Sequence, residues 1–383
     1  MTYAATNYVK MHQQYRSSCI NLVASENLLS PRARNALASD MASRYALRPE
    51  FYGGTTWIHH VWTLAEDLAK AVFNAEYCSV APLSGHVSLM MTLYTVVRRS
   101  GKIAVVDPRL AGYPGLASDK IPEIFGHTVV FLPEKDLMID KDPALELLAK
   151  EKPDAVVLGA SLILYPMPVK EISEVVHSYG GHVIYDGSHV LGLIAGKSFQ
   201  QPLEEGADVL LGSTHKSFFG PQGGLILTND KEIAEKIERN TFHKFVDNIH
   251  FNRIAALAVS LEEMKKHGRK YAEKVVENAN MLAVSLEKRE LKPFKNSMGF
   301  TRSHQVYLPY SEEDGVKVRD ILERNHIIAD MAVRLGTNEV TRRGMGLRQM
   351  DIIAEYIVRA LQGENMKNKV RALAHRFKSV KFT

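Results

Sequence analysis

Cysteine is nearly absent from the chain: Cys19 and Cys78 cannot build a disulfide framework, and their separation suits no metal site. Long apolar runs are missing too. The opening MTYAATNYVKMHQQYRSS has neither a basic start followed by an apolar stretch nor a spanning run, so no secretory signal or membrane segment is expected. A cytoplasmic location follows as the default. An excess of one charge is also lacking, since Lys+Arg 48 against Asp+Glu 43 leaves only +5, too mild to argue for nucleic acid. Part of that excess sits in KNKVRALAHRFKSVKFT, where Val370, Leu373, Ala374 and Phe377 alternate with basic residues as in an amphipathic terminal helix. No Gly-x-Gly-x-x-Gly follows a strand, which disfavours a dinucleotide cofactor. GLIAGKS departs from a phosphate-binding P-loop at Leu191, where that loop needs glycine. His59 and His60 are adjacent and point to different sides of any regular element, so no metal centre is expected.

What remains is an ordinary globular composition in 383 residues, more than one core usually supports. From Lys102 to about Thr228, β-branched runs alternate with helical patterns: KIAVVD, HTVVFL, DAVVLGAS, HVIYD, ADVLLGS and GGLILT. They are apolar on both faces, as strands are when helices cover both sides of a parallel sheet. WTLAEDLAKAVFNA and GHVSLMMTLYTVVRRSG read as helices upstream, and a long helix runs from about Ile254 to Arg289. A strand at HQVYLP and helices at DGVKVRDILERN and LRQMDIIAEYIVRALQG close the chain. The expected organisation is an arm over 1–30, a large α/β domain over 31–290 that includes the long helix, and a small α+β domain over 291–383.

In open parallel sheets, ligands gather at the carboxyl ends of the strands. The polar residues ending these runs are Ser161, Asp186 with His189, and Ser213, Thr214, His215 and Lys216. Each alone reads as well as a cap or a turn. Together, an aspartate at one strand end and a lysine at the next are the parts a pyridoxal phosphate site needs. The lysine amine forms a Schiff base, and the carboxylate keeps the pyridine nitrogen protonated so that the ring accepts electrons. Lys216 has no acidic neighbour in GSTHKSFFGPQGG, and partial desolvation would pull its pKa down and make it nucleophilic. The Ser-Gly-His at 84–86, opening a helix, offers the N–H groups and hydroxyl that a phosphate needs, although Ser-Gly before a helix is also common as a cap.

Six motifs in one order extend this reading: NLVASENLLSP, FYGG, PLSGH, DGSHVLGLIAG, STHKSFFGPQGG and VRLGTNEVTRRGM. In these the chain resembles the serine hydroxymethyltransferase family, fold-type-I pyridoxal phosphate enzymes, over nearly its whole length. The resemblance implies a three-layer α/β/α domain with a mostly parallel sheet and a smaller C-terminal α+β domain. It implies Lys216 as the Schiff-base lysine, Asp186 at the pyridine nitrogen and His189 near the cofactor's phenolic oxygen. Ser84, Gly85 and His86 would hold phosphate, helped by the 247–248 region of a partner subunit. Ser161, Ser213 and His215 would contact the cofactor, and Tyr113 would stack on its ring in place of the family's histidine. Arg334 would bind the substrate carboxylate with Ser25, while Tyr45 and Tyr52 would be contributed across a homodimer interface. Catalysis would then rest on Lys216, Asp186, His189, His215 and Tyr52.

Two departures bear on tetrahydrofolate use. Leu47 stands where the family carries a glutamate acid/base, leaving His215, Tyr52 and Glu50 as candidates for the base, and a loop before Arg334 that helps hold the pterin is missing. Phe219 also replaces a small residue or arginine. The resulting expectation is reversible Cα–Cβ cleavage of serine or related β-hydroxy amino acids to glycine. Folate-independent aldolase or transaldolase chemistry is the alternative, and a catalytically weak cofactor-binding paralogue the third.

Overall fold

In the computed structural model, residues 3–383 are described, and they form two compact units. The larger comprises Leu29–Ala272; the smaller comprises the segment up to Leu28 together with Glu273–Thr383.

The larger unit is built on seven strands: β1 (Tyr77–Ser79), β2 (Lys102–Val106), β3 (Thr128–Leu132), β4 (Ala155–Leu158), β5 (His182–Asp186), β6 (Val209–Ser213) and β7 (Gly224–Thr228). All six expected strands are present, and β1 is an additional short edge strand. Their order is β1-β7-β6-β5-β4-β2-β3. β3, β2, β4, β5 and β6 run parallel, whereas β7 lies antiparallel to both β6 and β1. Every residue of β4, β6 and β7 is buried, which is why these runs read as continuously apolar. Each fully buried Val, Leu or Ile contributes about 1.5–3 kcal/mol. One core cluster joins Leu89, Met91 and Leu93 of the helix Gly85–Val96 to Ile103, Val105, Val157, Ile184 and Leu211 of the sheet.

Between the strands lie the expected crossover helices, including Lys141–Glu151 and Val169–His177. Because the connections are parallel crossovers, the carboxyl ends of β2, β4, β5 and β6 all come to one edge of the sheet. The start of β7 joins them, since Gly224 pairs with Ser213.

In the smaller unit, Gln305–Tyr307 pairs antiparallel with Arg334–Gly336, and Ile20–Asn21 pairs parallel with Ile327–Ile328. The expected arm and the boundary at 290 are not where the compact units part. Ala279, Leu282, Ala283 and Leu286, all on the helix Phe251–Glu287, are completely buried in the same core cluster as Val306, Leu335, Ile353 and Ile357. Ile20 and Leu22 join that cluster through the Ile20–Ile327 pairing, so the first segment is part of this core rather than a free arm. The terminal helix Lys367–Arg376 buries Val370, Leu373 and Ala374, as its amphipathic pattern implies. Among the described residues no helix is long and apolar enough to cross a membrane.

One backbone contact ties fold to site. Gly159, just past β4, has φ +155, and a Cβ there would lie 2.5 Å from the Asp186 carbonyl oxygen and 2.8 Å from the Asp186 Cβ. Gly159→Ala should therefore cost about 1–3 kcal/mol, from overpacking against backbone and from a strained φ. Denaturant unfolding measures this, and an unchanged midpoint would contradict the contact.

Candidate active site

A cavity of about 190 Å³ opens at the converging strand ends, lined by Ser84, Gly85, His86, Tyr113, Ala160, Ser161, Asp186, Ser188, His189, Ser213, His215 and Lys216. The lining residues arrive from several elements, each for a local reason. Asp186 is the last residue of β5 and Ser213 the last of β6, so their side chains sit where the sheet stops. Ser161 follows β4, its N–H donating to the Ala111 carbonyl at 2.8 Å. Ser84 caps the helix Gly85–Val96, its Oγ accepting from Val87 N–H at 3.1 Å. Gly85 is tight against the opposite wall: a Cβ would come within 2.9 Å of both Ser188 Oγ and the Ser213 nitrogen. A twelve-residue helix beginning on the cavity wall favours an anion there, through its first N–H groups and its dipole.

The loop carrying Lys216 is pinned from several sides. Thr214 N–H donates to the Gly223 carbonyl, Thr214 Oγ1 to the Pro221 carbonyl at 2.6 Å and Gly220 N–H to the Thr214 carbonyl at 2.7 Å. Behind the lysine, Gly192 N–H donates to Ser217 Oγ at 3.0 Å and Tyr271 Oη to the Ser217 carbonyl at 3.0 Å. Phe219, wholly buried, packs edge-on against Tyr271 with ring centroids 5.0 Å apart.

Electrostatically the cavity is poised rather than neutralised. Burial pushes the Asp186 carboxyl up, against the hydrogen bond from Ser188 N–H at 3.0 Å and the charge of Lys216. The tertiary fold thus supplies the acid that the local sequence around Lys216 lacks. Burial, reinforced by the Lys216 charge, lowers His215 to about 4, so its imidazole is neutral at physiological pH. Burial and the Asp186 charge raise Tyr113, whose Oη lies 2.8 Å from His86 Nδ1 with the two rings edge to face. Two buried polar atoms of lining residues, Ser213 Oγ and His215 Nδ1, have no hydrogen-bond partner. Orphaned polar groups are costly, and in a cavity they mark what a ligand would satisfy. A phosphorylated pyridine aldehyde fits this donor set: an amine, a carboxylate, orphaned polar atoms and a helix start.

All ten residues expected around the cofactor line this one cavity. Ser188 was not singled out from the sequence, although it lies inside DGSH; it holds both Asp186 Oδ1 and, through Oγ at 3.1 Å, the Ser213 N–H. The substrate set is distributed differently. Tyr45 and Tyr52 belong to the larger unit but do not line the cavity; they lie exposed with ring centroids 5.7 Å apart. Leu47 lines a separate cavity of about 700 Å³ with Arg48, Trp62 and Glu66. Glu50 is exposed, 3.5 Å from His59 Nε2, and does not line the Lys216 cavity either. Ser25 and Arg334 belong to the smaller unit, where Val23 bridges Leu335 and Gly336 N–H donates to the Leu22 carbonyl at 2.7 Å. Arg334 is held by Asp330, whose Oδ2 accepts from Nε at 3.1 Å and from Nη2 at 3.0 Å.

A sequence model of the family described as "Serine hydroxymethyltransferase" matches residues 4–357. Proteins named serine hydroxymethyltransferase from Methanopyrus kandleri and Methanobrevibacter smithii are each 37% identical, over 98% of this chain and 93% and 94% of their own lengths. The counterpart from Sulfolobus acidocaldarius is 37% identical over 96% of this chain and 91% of its own. Among solved structures, L-threonine transaldolase from Pseudomonas fluorescens, in its internal aldimine state, superposes with a TM-score of 0.89 at 25% identity, covering 98% of this chain and 90% of that one.

The state of His215 has a consequence for stability. Its folded pKa of about 4 lies below the ordinary 6.5, so between these values the unfolded chain binds the extra proton. Stability therefore rises with pH across this window and is lost as pH falls from about 6.5 toward 4. His215→Gln removes the dependence. Relative to that variant, the wild type should lose roughly 2 kcal/mol on going from pH 7 to pH 4.5, measured by denaturant unfolding. Parallel curves for the two proteins would refute a buried neutral imidazole.

Proposed function

The chain belongs to the serine hydroxymethyltransferase family, and from that premise we propose that it binds pyridoxal phosphate at Lys216 and reversibly cleaves the Cα–Cβ bond of serine or a related β-hydroxy amino acid, giving glycine. When bound, the cofactor supplies an electron sink, its protonated ring taking the electron pair released as that bond breaks. The observation that supports this reading is the single cavity in which Lys216, Asp186, a helix start and two orphaned polar atoms converge.

On this reading Lys216 holds the cofactor covalently, Asp186 keeps the proton at the pyridine nitrogen, and Ser84, Gly85 and His86 bind the phosphate. Tyr113 faces the ring, while His189, Ser161 and Ser213 hydrogen-bond around it. His215, neutral and with an orphaned Nδ1, exchanges the proton of the substrate β-hydroxyl. Arg334, assisted by Ser25, takes the substrate carboxylate by a two-pronged hydrogen bond. Asp330 already engages the Nε/Nη2 edge of Arg334, so a substrate carboxylate docking on that edge competes with Asp330 for it.

We place Tyr45 and Tyr52 in the site of a second copy, in a homodimer. Phe51 and Trp57, 78% and 73% exposed, flank them, and the helix Ala4–Ser17 carries exposed Tyr8, Met11 and Tyr15 on one stripe with no buried residue. The 247–248 region is assigned to the partner's phosphate.

A second reading is folate-independent aldolase or transaldolase chemistry. It is favoured by Asp186 being the only carboxylate on the cavity wall, with Leu47 in place of an acid and turned into another cavity. Its reaction needs no tetrahydrofolate.

The purified protein should be yellow, and borohydride should fix the cofactor onto the chain. Lys216→Ala should abolish that adduct and lower serine cleavage by about a thousandfold or more; an adduct surviving in the variant would displace Lys216 from its role. Glycine formation from serine, followed with and without tetrahydrofolate, separates the two readings: a large enhancement supports transfer to folate, and equal rates support the aldolase. Asp330→Asn should lower the KM for the amino acid by about threefold to tenfold with kcat little changed. A raised KM would mean that Asp330 orients Arg334 rather than competing for it.

A further inference from the structure

The larger unit encloses a cation that none of the roles above uses. Arg253, in the first turn of the helix Phe251–Glu287, is 5% exposed. Its Nη2 donates to the carbonyls of Val80, Ala81 and Ile249 at 2.9, 3.2 and 2.9 Å, and its Nε to the Ile249 carbonyl at 3.3 Å. Its Nη1 is buried with no partner. Burial alone pulls its pKa down, to about 10, with no neighbouring charge contributing in either direction. A guanidinium taken out of water ordinarily finds a carboxylate. This one is offered only carbonyl dipoles, among the described residues.

Its surroundings indicate what balances it. Val80 and Ala81 lead directly into Pro82, Leu83 and the Ser84 cap of the helix Gly85–Val96. On the unpartnered side, a Cβ on Gly223 would lie 2.6 Å from Nη1 and 3.2 Å from Thr214 Oγ1, so the orphaned nitrogen abuts the loop that carries Lys216. The next residue, Gly224, donates its N–H to the Pro82 carbonyl at 3.0 Å, and a Cβ on it would lie 2.3 Å from the Ser84 carbonyl oxygen. Arg253 therefore sits directly behind the two segments that form the anion-favouring wall of the cavity, and touches both. On that wall Ser213 Oγ is itself buried and orphaned.

We infer that Arg253 is a positioning residue for the phosphate group of the cofactor: the unpaired guanidinium holds Ser84–His86 and the Thr214–Gly223 loop together, and lends the cavity the positive potential that a dianion balances. The inference rests on the reading that pyridoxal phosphate occupies the cavity. In a low-dielectric interior a fixed cation acts over more than contact distance, and no neighbouring charge offsets that of Arg253. Arg253 needs no contact with the phosphate for this role.

The test compares the affinities of pyridoxal phosphate and of pyridoxal, which has the same aldehyde and ring but no phosphate, for wild type, Arg253→Met, Arg253→Gln and Arg253→Lys. Binding is followed by absorbance, with the melting temperature of each cofactor-free protein recorded. Arg253→Met should weaken pyridoxal phosphate by about tenfold or more while pyridoxal changes little, and Arg253→Lys should recover most of the difference. Should the methionine variant not fold, Arg253→Gln keeps an amide donor for the same carbonyls and should show the same selective loss. Equal losses of both ligands, with lowered melting temperatures, would reduce Arg253 to a brace of the fold; unchanged affinities would also overturn the inference. If wild type binds neither compound, the functional reading itself fails. Selective loss in a binding-competent protein bears on Arg253 alone.

Discussion

The pairing of Ser213 with Gly224 is the constraint on which the rest of the site depends. A parallel sheet delivers strand ends to one edge but says nothing about how the chain turns there. β7 returns antiparallel immediately beside β6, so the segment between them must close on itself within ten residues, Thr214 to Gly223. The closure is made by internal hydrogen bonds: Thr214 holds Gly223, Pro221 and Gly220. Two contacts from outside, Gly192 to the Ser217 hydroxyl and Tyr271 to the Ser217 carbonyl, then fix the residue after Lys216. A lysine has four rotatable bonds and much entropy to lose; a backbone fixed this firmly limits where its amine can be. The same β7 start brings Gly224 against the Ser84 carbonyl, so one strand pairing sets both the amine wall and the helix-start wall of the cavity.

That frame lets the interior carry polar groups that a folded core ordinarily excludes. Asp186 and His215 are half-buried, Ser213 and Arg253 buried, and each departs from its comfortable state: a carboxyl pushed up, an imidazole pushed down, a hydroxyl and a guanidinium nitrogen without partners. Such costs are borne by the surrounding core, where β4, β6 and β7 have no exposed residue. Perturbed titrations also arise in structural networks, so the shifts alone would not mark a site. Here the perturbed groups of the cavity are the same ones that the topology brings together, which gives the pattern chemical sense.

Much of the larger unit was legible because its signals are local and repeated. β-branched runs bounded by Gly, Asp and Lys announce strands, and six of the seven strands were read from such runs, five of them parallel. β1 escaped because three half-buried residues at an edge have no periodicity to read. The strand-end residues of the cavity, Ser161, Asp186, Ser213, His215 and Lys216, could be read for the same reason as the strands, since they are the polar residues at which apolar runs stop, whereas Ser84, Gly85 and His86 were read from a helix start and Tyr113 only from the resemblance. Arg253 and Ser188 were not, because their meaning lies in what they touch. Arg253 sits in an otherwise ordinary helical pattern, and only its burial against Val80, Ala81 and Gly223 distinguishes it. The division between units was misplaced because the helix Phe251–Glu287 shows one unbroken pattern in sequence, while its last turns bury Leu282 and Leu286 in a different core from its first.

The departures from the family pattern fall on one side of the chemistry. Leu47 faces a cavity without the lysine, and Glu50, the nearby acid, lies 3.5 Å from His59 Nε2. On the proposed reading both concern the acid/base group that serves the substrate or acceptor. The residues that would hold the cofactor show no comparable change, and the one replacement among them, Tyr113, keeps an aromatic ring on the cavity wall and gains a hydrogen bond to His86. Phe219 fits the same division: wholly buried against Tyr271, it braces the back of the lysine loop rather than lining the cavity. A cofactor site depends on many groups meeting at fixed strand ends, so a change in any one of them is felt by all. Loop residues outside the sheet can be exchanged singly without disturbing it. Reaction specificity is therefore the property of this fold that can diverge most easily while the electron sink stays in place.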